Sequence, residues 1–362
     1  MDIFVYETDK AANMLQLKGV TDTVERIVWK RRFIEGDEFE LTMPCTEKNL
    51  KLVTEQTVVE VPDRYSGIVT EINLSVRKGV CILKARGCSF DGMLERRVLI
   101  KCTSSDSVMT VLDKNAGEAA DDFRRFPAVK FDFTVDCTGM DNYSYQHGSL
   151  SAYIKAAGRE NGFCVCSELV HEGCEAYVRI YGRYGSDRSV EQSENTQLVY
   201  TDVYENMSDG EYAYSEKGAM TGAFVYSEAK QVGEYTVASW NKLYGTEMTG
   251  YERCEKSFRI EPQILYVPVA SGGEINYVPE LDVNASVNYG QWLHMRNYSG
   301  FRENMRAVIV LKSGSVPFET GDRITVYCSR FGKLLTERVY EINEVYSGGG
   351  FTVSAVAGKF AD

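Results

Sequence analysis

Gly36-Asp37-Glu38-Phe39-Glu40-Leu41-Thr42-Met43 is a turn followed by a run in which Phe39, Leu41 and Met43 alternate with Glu38, Glu40 and Thr42. A period of two puts the apolar set on one face and the polar set on the other, which is the pattern of a strand with one buried side. The same pattern extends in both directions. Ile3 and Val5 sit opposite Phe4 and Tyr6, and Ile68, Thr70, Ile72 and Leu74 mark another face. Turn chemistry falls between the runs: Asp63-Arg64-Tyr65-Ser66-Gly67 separates residues 58–61 from 67–74, and Arg77-Lys78-Gly79 joins that run to 80–86. These are hairpin spacings, so residues 1–100 are expected to form a small antiparallel barrel or sandwich built on local pairings.

The periodicity then changes. Over residues 106–117, Val108, Val111 and Leu112 follow three-and-four spacing, with Ser104, Ser105 or Asp106 as N-cap and Gly117 as the stop. Arg124-Arg125-Phe126-Pro127 breaks the pattern, residues 128–135 alternate, and Ser149 opens a second helix with Leu150, Tyr153, Ile154 and Ala157 on one stripe before Asn161-Gly162. Strand candidates at 163–167 and 176–181 follow. Residues 101–181 therefore read as an α+β domain inserted after the first β unit.

Beyond Gly182 the composition shifts to Tyr, Ser, Gly, Asn and Glu, and residues 199–204, 212–217, 222–228 and 234–238 read as short strands of a second β unit spanning 182–262. Residues 263–303, with Pro268, Gly272-Gly273, Pro279 and Gly290, are the least periodic stretch and read as an irregular excursion or interface loop. Residues 304–362 are clear again: runs at 306–312, 322–328, 337–345 and 351–357 suggest a four-stranded meander. The expected class is mainly β with an α+β insertion.

The 362 residues carry 52 acidic and 40 basic side chains, a net charge of -12. That sign is opposite to the surface of a general nucleic-acid binder, which holds phosphates with lysine and arginine. The N-terminus lacks a basic region followed by an apolar stretch, and the densest apolar run, Ala307-Val308-Ile309-Val310-Leu311, is far below spanning length, so a soluble chain without membrane insertion is expected. Ten cysteines in this length are too sparse for a disulfide scaffold and suit a reduced, cytosol-made protein. Cys164 and Cys166 share a strand face and precede His171 and Cys174, but a zinc knuckle spaces its pair by two to four residues and adds a second pair, so packed thiols are the reading.

No Gly-x-Ser-x-Gly elbow, phosphate loop or dinucleotide fingerprint occurs, and His171-Glu172-Gly173-Cys174-Glu175 places Glu175 where a zinc protease needs its second histidine. Neither a catalytic residue nor a cofactor is assigned. Two alternatives stay open: a two-carboxylate glycosidase acting on cell-wall glycan, since strand carboxylates are abundant, and a carbohydrate-binding β module using Trp240, Trp292 and clustered tyrosines.

Three stretches together resemble the hub proteins of phage tails, the family of siphophage tail-tip proteins related to contractile-tail baseplate hubs. The first is Ile27-Val28-Trp29-Lys30-Arg31-Arg32-Phe33-Ile34-Glu35-Gly36-Asp37-Glu38-Phe39-Glu40-Leu41, continuing into Gly87-Cys88-Ser89-Phe90-Asp91-Gly92-Met93-Leu94-Glu95-Arg96-Arg97. The second is Tyr181-Gly182-Arg183-Tyr184-Gly185-Ser186-Asp187-Arg188-Ser189, longer here than the family's Gly-x-Asp-Arg-Ser segment. The third is Glu319-Thr320-Gly321-Asp322-Arg323-Ile324-Thr325-Val326 with its partner run at 338–345. The motif positions carried over are Trp29, Gly36, Phe39, Glu40, Leu41, Gly87, Ser89, Leu94, Arg97, Asp187, Arg188, Ser189, Gly321 and Asp322.

The resemblance implies two tube-type β-barrel-like domains plus inserted domains. The first barrel would span 1–100, and the second 182–262 completed by 304–362. It implies a homotrimer that presents six barrels to a sixfold tail tube, in the tail baseplate or tip of a virion assembled in the host cytoplasm. Implied partners are the tail tube or distal tail protein, the tape-measure protein and a spike or tip protein, with DNA only in transit. Residues 263–303 depart from the helical connection expected there, and without a lysin-like extension any wall cleavage would belong to a partner.

Overall fold

A computed structural model of the chain describes residues 1–9, 11–103, 105–135, 145–173, 175–247, 249–300, 302–311 and 316–358. The run that opens the sequence reading is strand Glu38–Pro44, with Phe39, Leu41 and Met43 buried. Its neighbours are Arg26–Arg32 on one side and Val80–Cys88 on the other, followed by Tyr65–Arg77, Val58–Val61, Ile3–Asp9 and Met14–Thr21. All pairings within this set are antiparallel. Tyr65–Arg77 pairs Val58–Val61 through residues 65–68 and Val80–Cys88 through residues 68–77, with a bulge between Val69 and Glu71. A strand that changes partners at a bulge bends the sheet around its apolar face. Ile3, Val5, Ile27, Trp29, Leu41 and Leu83 fill the inside. The short helix α1 (Glu47–Leu52), capped by Thr46, adds Leu52.

Strands Ile3–Asp9 and Val58–Val61 are covered on both faces. Tyr6 and Val58 point away from that core into a second one, formed with helices α2 (Val108–Ala116) and α3 (Leu150–Asn161) and strands Phe163–Glu172 and Glu175–Tyr184. The α3 stripe expected from the sequence is buried, Ser149 accepts from the Ala152 amide, and Gly162 closes the helix at φ +77°. The cap of α2 is a correction. Ser107 is the N-cap and accepts from the Thr110 amide, while Asp106 pairs with Lys114; Ser104 lies outside the described residues. The α+β core also begins earlier than residue 101, because the 3-10 helix Phe90–Arg96 contributes Phe90 and Leu94 to it.

A third core gathers Tyr200, Met207, Met305, Ile309, Phe318, Val326 and Ile342. Its strands correct the expected meander. Arg323–Cys328, Lys333–Ser347 and Gly350–Ala357 run as consecutive hairpin neighbours, but Arg302–Leu311 pairs with Gly350–Ala357, giving a Greek-key order. The reason is length: fifteen-residue Lys333–Ser347 pairs Arg323–Cys328 through residues 333–338, and Gly350–Ala357 and Arg26–Arg32 through residues 339–347. Among the described residues one sixteen-stranded sheet thus runs through both β regions.

The chain divides into two compact units, residues 1–212 with 304–362, and residues 213–303. Of the stretch read as the first part of a second β unit, residues 199–212 belong with the third core, whereas 213–262 fall in the smaller unit. That unit has a three-stranded sheet, Trp240–Tyr244, Gly222–Ser227 and Glu255–Arg259, around Met220, Ala223, Val225, Tyr244 and Ile260. Residues 263–303 are regular rather than irregular: an antiparallel ribbon, Ile264–Ser271 with Glu274–Leu281, leads into helix α4 (Val283–Asn297), capped by Asp282. Pro268 and Pro279 hide the strand period in the sequence, and the ladder accommodates both. No helix among the described residues is long and apolar enough to cross a membrane.

Candidate functional site

The three stretches singled out in the sequence meet at one junction in the larger unit. Gly321 sits at φ +92°, and a Cβ there would lie 2.8 Å from the Phe33 ring. Phe33 in turn meets Tyr340 edge-on and carries the Arg338 guanidinium over its face at 4.6 Å. The first and third stretches therefore interlock through a ring that only glycine admits.

Asp322 joins the second stretch to the third. Its buried carboxylate accepts from the amides of Ser186 (2.8 Å) and Glu319 (3.0 Å) and from Arg188 Nε (3.3 Å), and Arg183 lies 3.6 Å away. Backbone bonds run alongside: the Arg188 amide donates to Arg323 (2.8 Å) and the Arg323 amide to Ser186 (2.9 Å). Asp187 receives the Ser189 amide and faces Arg323 at 3.3 Å, and Ser189 is buried.

The two halves of the first stretch are locked to each other. The Asp37 amide donates to Ser89 Oγ (2.9 Å), the Ser89 amide donates back to the Asp37 carbonyl (3.1 Å), and a Cβ on Gly36 would stand 3.0 Å from the Gly92 Cα. Gly87 and Gly67 leave room for aromatic rings. A Cβ on Gly87 would lie 2.4 Å from Phe39, and Phe39 stacks on Trp29 at 4.6 Å between centroids. Other motif positions are not at the junction: Leu41 is in the first β core, Leu94 in the α+β core, Glu40 pairs outward with Lys84 and Arg86, and Arg97 stacks on Phe126 and donates to the Arg124 carbonyl.

Beside the junction lies a polar cleft of about 590 Å³, lined by Arg31, Asp37, Asp91, Cys166, Arg183 and Glu319 among others. Its cations already hold carboxylates. Arg31 pairs with Glu319 and with buried Glu344 (3.1 Å), and Arg64 reaches Glu344 at 2.6 Å. Asp37 accepts from the Arg32 amide and Asp91 from the Ser167 hydroxyl (3.0 Å). Desolvation first, and the neighbouring Asp91 charge second, push the Asp37 carboxyl up to about 7; desolvation raises Asp91 as well. The thiols of Cys164 and Cys166 stand 3.7 Å apart, and Cys164 donates to the Arg183 carbonyl. Among the described residues no three His, Cys, Asp or Glu side chains are placed to hold a metal ion, and Cys174 lies outside them. The arrangement ties segments 280 to 313 positions apart with charged pairs.

Sequence reasoning passed over Phe33, Arg31, Asp37, Asp91, Glu319 and Glu344. Every one lies inside or next to a stretch already singled out, yet their partners are far along the chain, and no spacing rule connects them.

Residues 3–255 match the family described as Siphovirus ReqiPepy6 Gp37-like protein, which is more than half of the chain. The chain belongs to this family. No curated protein matches it. Among solved structures, this Gp37-like chain is similar to the 43 kDa tail protein of prophage MuSo2 from Shewanella oneidensis, with TM-score 0.55 and 10% identity over 99% of this chain and 98% of that one. It is similar to a tail protein from Neisseria meningitidis MC58, with TM-score 0.53 and 13% identity over 99% and 96%. It is also similar to prophage tail protein gp18 from Listeria monocytogenes EGD-e, with TM-score 0.55 and 11% identity over 99% and 95%. At such identities the likeness establishes the fold, and it includes residues 256–362, which the family match does not reach.

Proposed function

We propose that this Gp37-like chain is a structural hub of a phage tail tip or baseplate, a homotrimer whose ring closes the distal end of the tail tube and adapts sixfold to threefold symmetry. The observation that carries the reading is the pair of separate β cores, one built from the first hundred residues and one mainly from the C-terminal strands, both on one continuous sheet, in a fold shared end to end with phage tail proteins. Two tube-type barrel domains in one chain let three chains meet six subunits. The junction of glycines, Asp322 and the Arg31–Glu344 pairs holds the first β region to the C-terminal strands, as a mechanical part requires.

In this reading the chain is not an enzyme, and it sits in the virion tail after synthesis in host cytoplasm. Its partners are the tail tube or distal tail protein, the tape-measure protein and a spike or tip protein. DNA passes through its channel, where carboxylates repel phosphates and let the polymer slide. The net charge of -12 agrees with such a lumen. Light scattering on the purified chain, alone and with neighbouring tail components, is expected to give the mass of three copies. A species that stays monomeric and joins no ring under any condition ends the proposal.

A further inference from the structure

The smaller unit carries a surface that neither the fold nor the motifs explain. In the ribbon of Ile264–Ser271 and Glu274–Leu281, Tyr266 pairs with Pro279, Pro268 with Tyr277 and Ala270 with Ile275. Directly paired residues share a face, so these six, with Ile264 and Leu281 at the base, make one face without a charged side chain, its only polar groups the two tyrosine hydroxyls. The other face carries the ribbon's charges, Glu274 and Glu280, with Ser271 and Asn276, set among Leu265, Val267, Val269 and Val278. Tyr266 is 59% exposed, and Ile275 and Tyr277 are each 67% exposed, whereas Pro279 is buried and Ile264 and Leu281 at the base are half-buried. A two-stranded ribbon by itself is marginal in water, and among the described residues this one forms a sheet of two strands.

The edges of the ribbon are closed to further strands. The two prolines belong to pairs of the same class in the alternating ladder, and since proline has no N–H to give, that class is the non-hydrogen-bonded one. Their nitrogens therefore face outward, one on each edge, and interrupt the donor row that an added strand needs. The ribbon is built to dock by its face.

Charge argues for the occupant. Between residues 264 and 300 only Glu274, Glu280, Asp282 and Arg296 are charged, whereas a quarter of the whole chain is, and Asp282 is committed to capping α4. In a chain of net charge -12, most faces brought against their own copies set like charges together. An uncharged, aromatic face meets its copy without that repulsion and has the composition of permanent homo-oligomer cores.

We propose that the apolar face of the 264–281 ribbon is the surface through which copies of this chain self-associate, each ribbon being covered by a second copy. The proposal rests on the ring reading above and places its contact. Sedimentation velocity and light scattering on the full chain test it, with Tyr277→Asp and Ile275→Asp on the apolar face and Asn276→Asp as a control that adds the same charge to the opposite face. Far-UV circular dichroism checks that each variant is folded. Wild type and Asn276→Asp are expected to assemble, while each apolar-face variant raises the midpoint concentration of assembly by at least about tenfold, as loss of a central anchor does, toward a species of 40.7 kDa. If folded Tyr277→Asp and Ile275→Asp assemble like wild type, or Asn276→Asp dissociates equally, the ribbon face is not the contact and the ring reading stands. A wild type that is monomeric at every concentration overturns both.

Discussion

Gly87 and Gly321 mark where a single methyl group meets something that cannot move. A Cβ on Gly87 would lie 2.1 Å from the Ile68 carbonyl oxygen, inside the sheet, and one on Gly321 meets Phe33 from a left-handed backbone. Gly79 is the contrast, with φ +81° and open space around its Cβ. Gly87→Ala is expected to lower stability by more than ~2 kcal/mol, through overpacking against backbone, whereas Gly79→Ala carries only the left-handed strain of ~1 kcal/mol; urea unfolding of the two variants compares them. Asp322→Ala removes an acceptor from two amides and two guanidinium groups at a buried point and is expected to cost about 3 kcal/mol, read by the same titration. Asp37 works in the opposite direction. Its folded pKa of about 7 lies above the ordinary 3.8, so the folded state holds the proton more tightly than the unfolded chain. The cost of its charge is full above about pH 7 and is relieved as pH falls toward 3.8. Asp37→Asn keeps an acceptor for the Arg32 amide and removes the repulsion with Asp91. It is therefore expected to raise the melting temperature at pH 8, with the difference from wild type shrinking by pH 5.

Helix α2 shows how a local signal is decided by one residue. Ser105, Asp106 and Ser107 all have side chains suited to capping, and the structure uses Ser107, leaving Asp106 to Lys114 and to the Thr103 amide. Ser107→Ala is expected to cost about 1 kcal/mol, with Ser107→Asp restoring most of it, and Ser105→Ala about nothing. Thermal melts followed at 222 nm distinguish the three. Strand Lys333–Ser347 is decided by partners instead. Its first part pairs only with Arg323–Cys328, and its second part is held between Gly350–Ala357 and Arg26–Arg32. That second pairing is what makes the two β regions one sheet.

The two units differ in how much they bury. Among the described residues the larger has three cores, each with at least fourteen buried side chains, and the smaller has one cluster of five. Stability follows burial, so the smaller unit is expected to open first. Calorimetry of the chain under dissociating conditions is expected to resolve two transitions, and hydrogen exchange should place residues 213–303 in the earlier one. A single transition with uniform exchange would mean that the units are coupled. The chain leaves the larger unit along Met207–Ser215 and returns along the neighbouring strand Arg302–Leu311. A short linker in place of residues 213–303 is therefore expected to leave the larger unit folded.

Alternation in residues 3–86, the stripes of α2 and α3 and the capping role of Ser149 were readable from the residues alone. A period of two or of 3.6, and a cap three positions from its amide, are properties of neighbours along the chain. The ribbon at 264–281 escaped because its two prolines look like breakers until the ladder shows that their nitrogens face outward. Motif spacing marked Gly321, Asp322 and Asp187-Arg188-Ser189 as belonging to the hub family's pattern, without saying what they touch. Only the tertiary structure decided that Phe33 seats on Gly321, that Glu344 binds both Arg31 and Arg64, and that Arg302–Leu311 lies beside the last strand. Those contacts join positions up to 313 residues apart. Whether such distant groups meet depends on the path of the whole chain, and no local pattern of side chains encodes that path.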